Sequence, residues 1–243
     1  MAASRLNQRI VSLYTQLFSA YGTQGWWPLS SRAGERGYDG RGYHPGVYGE
    51  PRTPEGRFEI VMGAILTQNS AWTNAVTALR RLREAGIRLP AEVRSCPQRR
   101  LGRLIRASGY YNQKARKLKE IAALFLTHRS FAPKFAPGRE VVLSQWGIGP
   151  ETADSILLYA FHKPAFVVDT YTRRLLSRMG IIAGPIGYEE IQGIFLGALP
   201  HRHRLFNEYH ALIVEHAKRH CRAAPLCRGC PVRTCHYRDS LHA

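Results

Sequence analysis

Apolar residues along this chain recur every three to four positions, and they almost never alternate with polar ones. In "RLNQRIVSLYTQLFSAYG" that spacing sets Ile10, Leu13, Leu17 and Phe18 on one helical stripe. The same periodicity predicts helices over roughly 57–68, 71–85, 98–107, 112–127, 138–145, 150–161, 169–178, 187–198 and 204–219. Short Gly, Pro and Ser breaks separate them, and no internal repeat or low-complexity tract stands out. The pattern predicts an all-α fold. One segment departs from it. Residues 29–56 hold seven glycines, three prolines and three tyrosines. They read either as a mobile loop or as a functional one whose tyrosines and arginines meet a nucleic-acid backbone or base.

Composition narrows the class. A chain of 243 residues, 44% of them hydrophobic, suits one or two domains with a real core. No apolar run approaches the roughly 18 residues of a membrane span, and "MAASRLNQRI" lacks the apolar stretch of a secretory signal. A soluble intracellular protein with no membrane partner is expected. Lysine and arginine number 35 against 17 acids, a net charge of +18 dispersed from end to end. On a folded, aromatic-rich chain, that excess points to a polyanion such as nucleic acid.

Four of the five cysteines fall within "HCRAAPLCRGCPVRTC". Gaps of five, two and four residues separate Cys221, Cys227, Cys230 and Cys235. In a reducing compartment four such thiols hold zinc or an iron–sulfur cluster rather than disulfides. Structural zinc usually uses two C-x-x-C knuckles, whereas here a single pair is flanked by medium gaps. The spacing therefore favours a [4Fe–4S] cluster over zinc. The loop carries Arg222, Arg228 and Arg233, so a cluster there would pin positive charge for phosphates. Cys96, in a polar run, reads as a bystander.

A second informative stretch runs from 143 to 180. Gly147-Ile148-Gly149 separates two helical segments, and Pro150 opens the second. Twenty residues beyond Gly149, the run "AFVVDTYTRR" places the carboxylate of Asp169 at a helix start after apolar residues. Asp169 reads both as an ordinary N-cap and as a partly desolvated carboxylate able to activate water or stabilise a cationic sugar.

The hairpin, the Val-Asp beyond it and the four-cysteine tail together resemble the helix-hairpin-helix (HhH-GPD) DNA glycosylases of the endonuclease III superfamily. The resemblance covers about 57–235 plus the N-terminal helix. "ILTQNSAWTNA" (65–75) and "SGYYNQKARKL" (108–118) resemble that family's two DNA-probing loops. It implies two lobes with DNA across the cleft between them. One is a six-helix domain over about 56–163 ending in the hairpin. The other joins 1–55 to 164–243, with the aspartate and the [4Fe–4S] cluster. It also implies a monomer acting on double-stranded DNA with damaged bases, in the cytoplasm and associated with the nucleoid. Gln68 would fill the space left by the flipped base. Tyr110 and Tyr111 would wedge the opposite strand, with Asn112 and Lys114 opening the next helix beside them. Gly147, Ile148 and Gly149 would grip the backbone, with or without a bound monovalent cation. Asp169 would be the catalytic carboxylate.

Two departures sharpen the reading. Two-step members of the family carry a lysine in a G-x-G-x-K-T-A pattern, and "GIGPETA" has Glu151 in that slot. Glutamate forms no Schiff base with the sugar, so the chain should use water and stop at an abasic site. Trp26 and Trp27, with Phe58 and Trp72, resemble the aromatic-walled pocket of the 3-methyladenine DNA glycosylase branch, which stacks on an electron-poor alkylated purine. Removal of alkylated purines is therefore the leading expectation. The alternatives are an endonuclease III-type enzyme for oxidised pyrimidines or mismatches, with or without strand cleavage, and a catalytically silent damage-binding protein.

Overall fold

In the computed structural model, which describes residues 2–127 and 136–240, all regular structure among the described residues is helical. The α-helices are Ala2–Tyr21 (α1), Pro54–Leu66 (α2), Trp72–Glu84 (α3), Pro90–Ser95 (α4), Gln98–Leu104 (α5) and Tyr111–Thr127 (α6). Arg139–Leu143 (α7), Pro150–Ser155 (α8), Thr170–Arg178 (α9), Tyr188–Ala198 (α10), His203–Arg219 (α11) and His236–Ser240 (α12) follow. The all-α expectation holds, and no described helix is long and apolar enough to cross a membrane. Helix α2 starts earlier than its periodicity suggested. Thr53 Oγ1 accepts the Gly56 amide at 3.1 Å, and Pro54 supplies the first-turn φ. The stretch predicted over 150–161 is two pieces, since Ile156–Ala160 widens into a buried π-helical turn.

The chain divides into two compact units. One is Trp27–Lys163, and the other joins the residues through Trp26 to those from Pro164 onward. The segment 27–55 thus belongs with the hairpin unit and not with the lobe assigned to it from sequence. Its own bonds explain why. The amide of Leu29 donates to Gly42 O, and Asp39 Oδ1 accepts from the Arg41 and Tyr43 amides. Buried His44 bridges Trp27 O and Val47 O, and Glu59 of α2 accepts from Ser30 Oγ at 2.7 Å. The glycines serve this tight path. Gly42 has φ +88°, and a Cβ there would lie 2.1 Å from Leu29 O.

In the hairpin unit α2 is the core helix. Every residue from Gly56 to Leu66 is buried, with α3, α6 and the π turn packed around it. Phe58 has no exposed surface and meets Phe125 edge to face at 6.4 Å. It is a core anchor, so it lines no open pocket. Burial of such a ring contributes roughly 1.5–3 kcal/mol.

In the other unit Ile10, Leu13 and Leu17 of α1 are buried, as their spacing predicted, and α1 packs on α10 and α11. Phe18 is the exception at 38% exposure, stacked on Tyr14. It sits one position off the buried stripe. Phe166, Phe195, Phe206 and Tyr209 form a buried aromatic core, with Phe166 stacked on Phe195 at 3.8 Å. Val167 and Val168 continue it, so the chain emerges from the core at Asp169.

Candidate active site

Asp169 caps α9. Its Oδ1 accepts the Thr172 amide at 2.8 Å and the Thr172 hydroxyl at 2.9 Å. Its Oδ2 lies 3.5 Å from Nε2 of His210 on α11, and only 13% of the side chain is exposed. Burial alone would push this carboxyl up. The hydrogen bond and charge of His210, with the two bonds from Thr172, outweigh it and hold the carboxyl below its ordinary value. The cap and the desolvated carboxylate anticipated from sequence are therefore one arrangement. The His210 ring in turn meets Trp26 edge-on at 5.7 Å. Lys218 Nζ lies 5.7 Å from the Trp26 ring centroid, and Asn207 donates to the Trp26 carbonyl. His210 carried no sequence signal, and Lys218 read only as basic charge beside Arg219 just before the cysteine loop.

The far end of α9 holds the cysteine loop. Arg174 Nε donates to Cys221 O, and Arg178 donates to Cys221 Sγ at 3.3 Å and to the carbonyls of Arg222 and Ala223. Cys221, Cys227, Cys230 and Cys235 line one cavity with Leu175 and Val232. Burial pushes the Cys230 thiol up, and its three neighbouring thiols add to the shift. The donor set is thus four thiols facing a shared cavity, with a guanidinium at hand for thiolate charge. That chemistry suits a polynuclear iron–sulfur group. Arg222, Arg228 and Arg233 are all exposed on the loop.

In the hairpin unit the three expected DNA-facing stretches converge. Gln68 Nε2 donates to Thr152 Oγ1 at 2.9 Å and to Gly147 O at 3.3 Å, while Lys117 Nζ donates to Gln68 Oε1 at 2.5 Å. Gly147 has φ +74°, and a Cβ there would lie 2.4 Å from Lys117 Cε. Ile148 is buried beneath the turn, and Gly149 precedes α8 in extended conformation. Both stretches expected to probe DNA carry a non-glycine residue in the left-handed region, Asn69 at φ 49° and Tyr110 at φ 44°. Tyr110 is 66% exposed, Tyr111 is partly covered, and Asn112 is exposed. Trp146, which the sequence reading did not single out, is exposed just before the hairpin with the Arg116 guanidinium 4.0 Å above its ring. Glu151 is exposed in the first turn of α8.

Lys114 stands in the first turn of α6 as expected, but its side chain is buried and is not part of the exposed set expected to meet DNA. It is 2% exposed, and its Nζ donates to Leu66 O at 2.8 Å and Ser108 O at 2.6 Å. The ammonium closes the C-terminal end of α2 and the turn ahead of α6, so it does not face a DNA backbone. Trp27 and Trp72 pack edge to face at 5.4 Å, with Tyr159 5.2 Å from Trp27. Gly63 admits them, since a Cβ there would approach Trp27 Nε1 to 3.3 Å. Trp27 is buried and Trp72 half-buried. Trp26 belongs to the Asp169 unit, so the four anticipated pocket residues divide into Trp26, the Trp27–Trp72 pair and core Phe58.

The profile of HhH-GPD superfamily base excision DNA repair proteins matches residues 62–201. A candidate DNA repair glycosylase of Methanocaldococcus jannaschii is 36% identical over 233 residues, 93% of this chain and 94% of that one. An endonuclease III of Sulfolobus acidocaldarius is 29% identical over 182 residues, 72% of this chain and 79% of its own. Among solved structures, the H. pylori 3-methyladenine DNA glycosylase bound to 1,N6-ethenoadenine superposes with a TM-score of 0.62 at 28% identity. That match covers 69% of this chain and 86% of that one. A trapped endonuclease III–DNA covalent intermediate gives 0.68 at 24% identity over 77% and 86%, a likeness of fold.

Proposed function

The chain belongs to the HhH-GPD superfamily of base excision DNA repair proteins, and from that premise we propose that it is a monofunctional glycosylase for alkylated purines. It is a DNA N-glycosylase acting on damaged duplex DNA, and Asp169 is the carboxylate that carries the reaction. The observation that supports this most is the way Asp169 is held. Thr172 occupies one oxygen and His210 lies against the other, so the group stays ionised although little exposed. A fixed anion of this kind favours a sugar that turns cationic as the base leaves, more than it favours the neutral ground state. The base departs with the electrons of the glycosidic bond. Water adds to the sugar carbon, its proton passing toward Asp169, and an abasic site remains. His210 is a positioning residue for that carboxylate.

The alkylated-purine assignment rests on chemistry and on likeness. An alkylated purine already carries positive charge and leaves without further protonation. Trp26, beside His210, is a stacking surface for such a ring, a contact worth roughly 1–3 kcal/mol. The H. pylori relative is named for 3-methyladenine. Glu151, in the slot of the family's lyase lysine, supports hydrolysis over strand cleavage. A second reading, an endonuclease III-type enzyme for oxidised pyrimidines or mismatches, draws support from the curated relatives of that name.

Gln68, Tyr110, Tyr111, Asn112, Gly147, Ile148 and Gly149 form the DNA-facing set, and Trp72 lines the aromatic cluster of the hairpin unit. Cys221, Cys227, Cys230 and Cys235 would hold a [4Fe–4S] cluster. There it would supply structural closure, fixing a short arginine-bearing loop that has no core of its own. A panel of duplexes, each with one lesion, tests the assignment. Release of alkylated purines with oxidised pyrimidines untouched is expected, and the reverse order would favour the second reading.

A further inference from the structure

Two lysines one helical turn apart on α6 are held in opposite ways. Lys114 gives its ammonium to two backbone carbonyls, Leu66 O and Ser108 O, which cannot leave. Lys117 gives its ammonium to the side-chain oxygen of Gln68, which can. Lys117 is half-buried, and its stem lies across Gly147 of the hairpin. Among the described residues no carboxylate stands within ion-pair distance of its Nζ, although the same unit pairs Arg139 with buried Asp154 at 2.7 Å. Burial lowers the Lys117 ammonium from its ordinary value. A partly desolvated cation with only a neutral amide oxygen for a partner is short of counter-charge. In a chain of net charge +18, that charge must come from outside.

Gln68 is committed at both ends. Its oxygen accepts from Lys117, and its nitrogen donates to Thr152 Oγ1 and Gly147 O. One side chain on the loop after α2 thus ties together α6, the hairpin and α8. We propose that Lys117 is the hairpin's phosphate ligand and that Gln68 is its displaceable stand-in, released when a DNA phosphate takes the ammonium. The proposal rests on the reading above, in which the hairpin meets the backbone and Gln68 enters the duplex. It adds a coupling between them. Backbone capture and release of the probing side chain are one exchange, because both compete for a single ammonium. An anionic phosphate oxygen outbids a neutral amide at the same distance.

The test is the salt dependence of binding to a short undamaged duplex, paired with single-turnover excision. Lys117→Met keeps the stem over Gly147 and removes the charge. The slope of log affinity against log salt should fall by about 0.9, the share of one phosphate. Lys117→Arg should restore it. Gln68→Ala should leave that slope intact and bind undamaged duplex at least as tightly as the parent, while its excision rate falls. An unchanged slope in Lys117→Met, or a reduced slope in Gln68→Ala, would overturn the exchange. Thermal melts of all variants identify misfolding, and if Lys117→Met does not fold, Lys117→Gln removes the same charge and is read on the same slope. A chain that removes no lesion yet shows these slopes would sink the glycosylase reading and leave the exchange standing.

Discussion

Asp169 and His210 meet across α9 and α11, Oδ2 to Nε2 at 3.5 Å, while the other carboxylate oxygen is spent on Thr172. The pair divides two tasks. Thr172 fixes where the carboxylate points, and His210 helps keep it charged. Asp169→Asn should therefore bind DNA as the parent does while excision falls about a hundredfold or more. Near-normal excision by that variant would remove Asp169 from the chemistry.

The same pair has a pH signature. A carboxyl held below its ordinary value remains ionised until the pH falls through that lowered value, so excision should be flat from neutrality well into acid. In His210→Gln one cause of the lowering is gone, and the acid limb should move to higher pH with DNA affinity unchanged. A profile that loses amplitude without moving would make His210 merely structural.

Lys114 and Lys117 show why a short motif misleads. Both stand in "NQKARKL", and nothing local separates a lysine that closes a helix end from one that faces a hairpin. The difference is tertiary, set by which oxygens the fold brings up. His210 was silent for the same reason, since Asn207, Glu208 and His216 are also buried polar residues of α11 and nothing local sets His210 apart from them. What periodicity does report is the core. The buried stripe of α1 and the long helices were legible because their apolar faces recur at 3.6 residues. Helix α4, six residues opening on Pro90, is too short to show a period and forms because Glu92 bonds the Arg88 and Leu89 amides. The glycine-rich segment 29–56 gave no sign that Asp39 and His44 would tie it down, since those bonds join residues outside any regular element.

Burial, with the charge of Lys117 adding, pushes the Lys114 ammonium down to about 8. The unfolded chain holds that proton to about pH 10.4. Between those values the unfolded state binds the extra proton, so stability should rise with pH across the window. Lys114→Met leaves the Leu66 and Ser108 carbonyls unanswered and should cost about 1–3 kcal/mol in denaturant melts. Its DNA-binding salt slope should match the parent's. A reduced slope would return Lys114 to the interface.

Purified under anaerobic conditions, the protein should be coloured and carry about four irons per chain. Cys227→Ser should lose iron and DNA affinity together, because the loop that presents Arg222, Arg228 and Arg233 is no longer pinned. Stoichiometric zinc without iron would contradict the cluster.

Trp26→Ala should slow excision of alkylated purines roughly 5- to 150-fold, the equivalent of one lost stacking contact, and weaken binding to undamaged duplex far less. A variant that melts earlier yet excises normally would make Trp26 a packing residue.

The central claim is one-step hydrolysis of an alkylated purine, and single-turnover product analysis on a duplex with one 3-methyladenine or ethenoadenine tests it most directly. The reaction is run with borohydride, and the strands are resolved before and after hot alkali. An intact abasic strand that breaks only in alkali, with no covalent protein–DNA adduct, is the predicted result. Strand breaks without alkali, together with a strong borohydride-trapped adduct, would contradict it.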